Sequence, residues 1–153
     1  MQASRLRECS TFSRDPLAPI WYNCHTMTKA RARKPLFWMG SSLDDLRCFP
    51  DEVKRVMGFA LHFAQAGGRH PDAKPLKGFA GAGVLEVVEE HAGDAFRGVY
   101  TVRFAGAVYV LHAFQKKSKR GIKTPKNEVE LIRERLKRAG DHYEHWHKED
   151  NQE

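Results

Sequence analysis

The chain contains three successive runs in which β-branched and aromatic residues dominate, at positions 84–90, 96–104 and 108–114. Side chains of this kind favour extended strands. The two connections, "HAGDA" and "AGA", have the length of hairpin loops. The pattern therefore predicts three consecutive strands that form an antiparallel meander.

A different periodicity precedes the meander. The apolar run "LFWM" at 36–39 predicts a short buried strand, and "GSSLDDL" at 40–46 contains two overlapping serine–aspartate pairs that are typical of a helix start. A second helix is predicted to begin at Pro50 and to end before Gly67, because apolar residues between them recur at helical spacing. This predicted apolar stripe consists of Val53, Val56, Met57, Ala60, Phe63 and Ala64.

The last predicted element is a helix from Pro125 to Ala139. Thr124 can cap its start, proline suits the first helical turn, and Gly140 follows its end. The segment 69–83 is rich in proline and glycine and is predicted to be a loop.

These elements predict a compact α+β domain over residues 35–140, with the order strand, two helices, three-strand antiparallel meander, helix. Residues 1–34 have no clean periodicity and are interpreted as an N-terminal extension or a choice of start site, because Met27 is a second candidate initiator. Residues 141–153 are predicted to form a polar, mobile tail.

Positive charge is concentrated near the C-terminal end of the predicted domain. The net charge of the chain is +7, and between His112 and Gly140 ten lysines or arginines stand against three glutamates. Such a concentration favours a polyanionic partner such as RNA, DNA or an acidic protein. A solvated basic face that aids solubility is the alternative.

Several functional classes are not expected. No run of about 18 apolar residues predicts a membrane span, and no secretory apolar segment follows the start. The three cysteines, Cys9, Cys24 and Cys48, form no CxxC motif, so we expect a reducing cytoplasm and no disulfide framework. The histidines of "HYEHWH" at 142–147 are the one metal-like cluster, but a polar tail is the preferred interpretation, and we expect no metal or cofactor.

Two strand residues and one histidine are candidates for chemistry. Because side chains alternate along a strand, Arg97 and Arg103 should project from one face, together with Val99 and Thr101. A buried guanidinium needs a partner, so each arginine either pairs with a carboxylate such as Glu86 or Glu89 or faces an open groove. His112 is predicted to share a face with Val108, Val110 and Phe114, where it is either a core residue or a proton carrier.

The connection between the last strand and the last helix is strongly cationic, with Lys116, Lys117, Lys119, Arg120 and Lys123. Lys74 and Lys77 are predicted to join this cluster if the loop 69–83 folds over the same face. Phe79 or Phe114 could stack on an unpaired base. The chain has no nucleophile elbow, phosphate-binding loop or zinc-protease motif.

Three stretches between Leu36 and Ala139 resemble the RelE/ParE toxin superfamily, specifically its HigB-like, phage-derived branch. They are "FRGVY", "VYVLHAFQKK" and "KTPKNEVELI". The chain departs from the common pattern at Ala113, where glycine is frequent, and in a longer link between Lys117 and Thr124. The first 26 residues match no part of the family pattern.

The resemblance implies a compact RelE-like fold and a type II toxin that cleaves mRNA in the cytoplasm, often on the ribosome. It also implies silencing by a cognate antitoxin, which in the HigB-like branch commonly carries a helix-turn-helix domain. Three alternatives stay open: a ParE-like inhibitor of DNA gyrase, a module that only binds RNA or the ribosome, and a degenerate toxin.

If the resemblance holds, cleavage uses the 2′-hydroxyl of the RNA and needs no metal. Arg97 and Lys117 would then contact the scissile phosphate, and His112 or Lys116 would move a proton. The residues expected to contact the rest of the RNA are Lys74, Lys77, Arg103, Phe114, Lys119, Arg120 and Lys123.

Overall fold

A computed structural model describes residues 33–116 and 124–150 of the chain. The described residues form five strands and three helices, in an order that confirms the predicted α+β class. The elements are β1 (Leu36–Trp38), α1 (Ser42–Arg47), α2 (Asp51–Gln65), β2 (Lys74–Pro75), β3 (Val84–His91), β4 (Asp94–Thr101), β5 (Val108–Lys116) and α3 (Lys126–Asp150).

The strands form one mixed sheet with the order β1-β5-β4-β3-β2. β3, β4 and β5 pair antiparallel, so the predicted meander is confirmed. β1 pairs with β5 in parallel over only three residues, from Val108 to Val110. The two-residue strand β2 lies in the segment that was predicted to be a loop and pairs with β3.

The sheet buries a separate apolar cluster on each face. On one face, Val53 and Met57 of α2 pack with Val87, Tyr100 and Val110 of the sheet. On the other face, Ile132 and Ala139 of α3 pack with Val84, Val99 and Tyr109. The sheet therefore lies between α2 and α3, and each helix covers the strand side chains that point to its own face of the sheet.

The predicted apolar stripe of α2 is correct except at its C-terminal end. Phe63 was assigned to the buried stripe, but it is 40% exposed, whereas Leu61 is buried. Phe59, one turn before Phe63, is also exposed. The buried face of α2 is therefore rotated toward Leu61 in its last turns.

A β-bulge in β5 changes which face of the sheet the second half of this strand presents. Val99 lies opposite His112, whereas the next residue of β4, Tyr100, lies opposite Val110. Leu111 is therefore an extra residue, and an extra residue shifts the alternation of side chains by one position. The prediction of a common face is wrong for this reason: one face of β5 carries Val108 and Val110, and the other carries His112 and Phe114.

The last helix is longer than predicted. α3 continues through Gly140 to Asp150, so the predicted helix end at Ala139 and the mobile tail from 141 are wrong over the described residues. The physical reason is aromatic packing. Trp146 lies edge-on against Phe37 with ring centroids 5.5 Å apart, and Tyr143 lies 4.8 Å from the ring of Phe104.

The predicted N-terminal extension, residues 1–34, consists almost wholly of residues 1–32, which lie outside the described residues. The proposed start-site choice at Met27 lies there as well. Within the described parts of the chain, no helix is both long and apolar enough to cross a membrane.

Candidate functional site

The bulge in β5 places His112 against α3, where both of its ring nitrogens have partners. Nε2 lies 2.5 Å from Oε2 of Glu128, and Nδ1 lies 3.0 Å from a guanidinium nitrogen of Arg135. The ring also stacks on Phe114, with centroids 5.0 Å apart. His112 is thus held on three sides within the part of the chain that the structure describes.

Arg135 connects this histidine to the start of α1. Its Nη1 donates to the carbonyl oxygen of Leu111 at 2.9 Å, and its Nη2 donates to Oγ of Ser41 at 3.0 Å. Ser41 in turn donates to Asp45 at 2.8 Å. Ser41 belongs to the serine–aspartate pairs that predicted a helix start, and it lies at the N-cap of α1, but its hydroxyl makes no hydrogen bond to the backbone of this helix. The hydroxyl instead links α1 to the buried guanidinium.

Gly40 provides the space that this guanidinium occupies. A β-carbon at position 40 would lie 2.8–3.0 Å from three atoms of the Arg135 guanidinium group, and the backbone φ of +56° is in the left-handed region. Glycine is the residue that adopts this conformation most easily and leaves this space open. The short turn between β1 and α1 is therefore shaped around Arg135.

Arg97 lies on the same face of the sheet as His112, because it lies opposite Phe114 in β5. It is only 5% exposed, and its Nη1 donates to Glu86 at 2.8 Å and to the hydroxyl of Thr124 at 3.4 Å. The interpretation that this arginine pairs with a carboxylate is confirmed. A phosphate would contact this nitrogen only by replacing the carboxylate of Glu86.

The cationic connection starts and ends beside the same stretch of β4. Lys116, its first residue, lies opposite Ala95, while Thr124, directly after the connection, is hydrogen bonded to Arg97. Residues 117–123 themselves lie outside the described residues, so the predicted roles of Lys117, Lys119, Arg120 and Lys123 stay predictions. Both flanking residues therefore lie on the face of the sheet that carries His112, with Lys116 about 13 Å further along β5 at about 3.3 Å per residue.

An open depression of about 420 Å³ lies alongside the second half of β5. It exists because β1 pairs only with the first part of β5. Glu128 is the polar end of the buried network at this depression: 24% of its side chain is exposed, against 8% of the side chain of His112. The depression is lined by Asp45, Cys48, Phe49, His112, Ala113, Phe114, Gln115, Glu128 and Leu131.

The other predicted RNA contacts are dispersed. Lys74 is exposed on β2 and lies opposite Glu86, so it shares the face of Arg97. Lys77 is exposed in the turn that follows β2. Arg103 lies beyond the end of β4, about 20 Å along the strand direction from Arg97 if each residue adds about 3.3 Å. Arg103 is therefore not part of the same cluster as Arg97 and His112.

Arg103 belongs instead to a second groove, of about 580 Å³, beside the middle of α3. Arg133 and Lys137 line the same groove, and the guanidinium of Arg133 lies 5.6 Å from the ring centre of Phe79. Phe79 itself is buried, so this ring is not available for stacking on a base in this structure. The groove is also lined by the aromatic side chains of Phe104 and Tyr143 and by the negatively charged side chains of Asp141 and Glu144.

The histidines of "HYEHWH" have other contacts. His142 Nδ1 lies 2.9 Å from the hydroxyl of Tyr109, and His145 Nδ1 lies 2.7 Å from a backbone oxygen of the preceding turn. Burial raises the pKa of Tyr109 to about 12, so its hydroxyl keeps its proton at neutral pH. No group of potential metal ligands occurs among the residues that the structure describes.

Sequence reasoning missed Glu128 and Arg135 as members of the site. A signal for Arg135 was present, because it lies between Ile132 and Leu136 on the predicted apolar stripe of α3 and must therefore face the sheet. Glu128 lies one helical turn after Thr124 and seven residues before Arg135, on the same side of the helix. Two opposite charges on one buried stripe indicate a buried ionic network.

Comparison with known proteins gives one finding. The family model described as phage derived protein Gp49-like (DUF891) matches residues 44–137, which is more than half of the chain. No curated protein and no solved structure matches the chain. The matched residues include α2, the whole meander and the first half of α3.

Proposed function

Because the chain belongs to the phage-derived Gp49-like family, which is part of the RelE-like toxin group, we propose that it is the toxin of a type II toxin–antitoxin pair. We assign it to the HigB-like branch and infer that it cleaves mRNA without a metal ion. The observation that carries this proposal is that the basic segment 117–123 connects Lys116, on the His112 face of β5, to Thr124, which is hydrogen bonded to Arg97 on the same face.

The chemistry that this arrangement suits is attack of the RNA 2′-hydroxyl on the adjacent phosphorus. The reaction needs positive charge around the phosphate and a group that removes the hydroxyl proton. Lys116 and the four cationic residues at 117, 119, 120 and 123 supply the charge. A carboxylate and an imidazole lie in contact on the same face of the sheet, with His112 four residues before the end of β5.

The ion pair with Glu86 changes the role that we propose for Arg97. We propose Lys116 and Lys117 as the principal phosphate contacts, because Nη1 of Arg97 is already engaged by Glu86. Arg97 instead acts by holding Thr124, and with it the start of α3, against β4. A buried guanidinium with a carboxylate partner is suited to this anchoring role.

The groove at the middle of α3 supports contacts with RNA beyond the cleavage site. Arg103, Arg133 and Lys137 are exposed there, and each would neutralise backbone phosphate. Lys74 and Lys77 are placed to contact RNA on the β2 side of the sheet. We propose that the partner which silences the protein is an antitoxin with a helix-turn-helix domain, as the family resemblance implies.

The test is to map the 5′ ends of cellular mRNA after brief induction of the protein without an antitoxin. We expect new 5′ ends within coding regions, and a loss on the order of 10²–10³ in cleavage rate for Lys116→Ala. Lys148→Ala is the matched control, because Lys148 is an exposed lysine in the last turn of α3, away from the proposed site.

Two other outcomes would replace the proposal. Intact mRNA together with DNA damage would indicate a gyrase inhibitor instead. RNA or ribosome binding without any cleavage product would indicate a binding module. Addition of a metal chelator to purified protein and RNA tests the metal-free chemistry, and loss of cleavage on chelation would contradict it.

A further inference from the structure

We infer that Glu128 is the group that accepts the proton of the attacking 2′-hydroxyl, and that His112 and Arg135 are positioning residues that orient its carboxylate. This inference rests on the proposed function, because it assigns a role within RNA cleavage. It also differs from the sequence-based prediction, in which His112 or Lys116 moved a proton and Glu128 had no role.

The hydrogen bonds of His112 determine where its proton lies. A guanidinium can only donate hydrogen bonds, so the His112 Nδ1 atom that faces Arg135 must be an acceptor without a proton. The ring proton is therefore on Nε2, from which it is donated to the carboxylate of Glu128. A proton on Nδ1 would break the contact with Arg135, so the geometry places the ring proton on Nε2.

The position of Arg135 is itself determined by several contacts. Leu111 and Ser41 accept its other hydrogen bonds, and Gly40 leaves room for the guanidinium. A side chain with three fixed acceptors has little freedom to turn away from His112. The chain of contacts from Arg135 to Glu128 is therefore rigid, which is what orientation of a catalytic group requires.

Access to solvent distinguishes Glu128 from His112. The His112 ring is covered by Phe114 on one side and engaged at both nitrogens, so a substrate oxygen has no free ring nitrogen to reach. Glu128 opens onto the depression beside β5, and His112 engages only one of its two carboxylate oxygens there. Glu128 is thus the member of the network that a substrate hydroxyl can contact.

Two proton transfers accompany the proposed cleavage. The 2′-oxygen forms a bond to phosphorus while its proton moves to the carboxylate of Glu128. The bond from phosphorus to the 5′-oxygen breaks, and this oxygen takes a proton from the ammonium group of Lys116. The products are a 2′,3′-cyclic phosphate and a 5′-hydroxyl end, after which Glu128 loses its proton to water and Lys116 regains one.

The first experiment determines the tautomer of His112 and does not depend on RNA cleavage. A long-range ¹H–¹⁵N spectrum of the free protein at neutral pH should show the side chain of His112 with Nε2 protonated and Nδ1 unprotonated. Arg135→Met, which removes the donor, should change this signature, whereas Arg138→Met, on an exposed position of the same helix, should leave it unchanged. A doubly protonated ring, or a proton on Nδ1, would overturn the positioning role of Arg135.

The second experiment separates the carboxylate from the imidazole by activity. Glu128→Gln should lower the cleavage rate by about 10²–10⁴, whereas Glu130→Gln, two residues on and exposed, should have no effect. His112→Gln is the decisive variant, because an amide can donate to Glu128 and accept from Arg135 but cannot carry a proton. It should retain activity within about tenfold, while His112→Ala should lose much more.

The outcomes distinguish this inference from the proposed function. If the wild-type protein cleaves RNA and Glu128→Gln cleaves as fast, the inference fails and the proposed function stands. If His112→Gln is as inactive as His112→Ala while both variants are folded, His112 carries the proton and the inference also fails. If the wild-type protein cleaves no RNA, the proposed function fails, whatever the tautomer of His112.

Discussion

The two halves of α3 pack against the same face of the sheet by different means. The first half carries Glu128 and Arg135, which form hydrogen bonds with His112 and the backbone of β5. The second half carries Tyr143 and Trp146, which pack on aromatic rings from β1 and the β4–β5 turn. One helix therefore combines a buried polar network with an aromatic contact surface.

The difference teaches that the two kinds of contact respond differently to the loss of a partner. Aromatic rings that leave water contribute favourable free energy through their buried area. Buried charges must first lose their hydration, and hydrogen bonds recover this cost only when every group has a partner. Removing one member of the polar network therefore leaves the others unpaired, and we propose that the same contacts orient Glu128.

The largest expected effect comes from removing the guanidinium of the polar half. Arg135→Ala leaves the carbonyl of Leu111 and Nδ1 of His112 without their donor, so the free energy of unfolding should fall by about 3 kcal/mol. Denaturant unfolding measures the change. Arg138→Ala is the control, because its surface pair with Glu134 should contribute less than about 0.5 kcal/mol. Equal effects of the two substitutions would contradict the buried network.

A smaller loss of stability is expected in the aromatic half. Trp146 is half-buried against Phe37 and Gly106, so Trp146→Ala should lower the free energy of unfolding by about 2 kcal/mol. RNA cleavage by the folded variant should be unchanged, since no proposed catalytic group contacts this ring. His145→Ala, an exposed neighbour, should change neither quantity. A Trp146 variant that is folded but unable to cleave RNA would show that the two halves are not separate in function.

The smallest effect at neutral pH concerns Tyr109, and this effect changes at alkaline pH. Its pKa is raised from 10 to about 12 because burial disfavours the phenolate, so the folded state keeps a proton that the unfolded state loses above pH 10. The stability that this provides is complete below pH 10 and is lost up to pH 12, by about 1.4 kcal/mol per pH unit.

The comparison with Tyr109→Phe isolates this contribution. The variant lacks the hydrogen bond to His142, so it should be less stable than the wild type by about 1 kcal/mol below pH 10. This gap should shrink and then reverse between pH 10 and pH 12. Unfolding curves measured at several pH values provide the check, and a gap that does not change with pH would refute the assigned cause.

The sequence predicted the described elements well wherever one periodicity continued through an element. The alternation in β3 and β4, the apolar stripe in most of α2 and the breakers around them were sufficient to predict the order of elements. The prediction failed at Leu111, because a bulge resets the alternation without any local signal in an apolar strand. It failed again after Ala139, because polar residues dominate 141–150 and the tertiary contacts of His142, Tyr143 and Trp146 sustain the helix.

The candidate site was predicted less completely than the fold. Arg97 and His112 were correctly identified as residues with an unusual environment, and the pairing of Arg97 with a carboxylate was one of the two stated interpretations. Their connection to Thr124, Glu128 and Arg135 depends on how α3 crosses the sheet. Periodicity indicates which side of a helix is buried, but it does not indicate which charges meet across the interface.

Gly40 gives the molecule a sensitivity that its position on the surface would not suggest. It contributes no side chain to the interior, yet the smallest possible enlargement, a single methyl group, would occupy space that a cation from a distant part of the chain now fills. The size of the residue at position 40, without any change of charge or polarity, would therefore control how firmly Arg135 is held, and through Arg135 the orientation of Glu128.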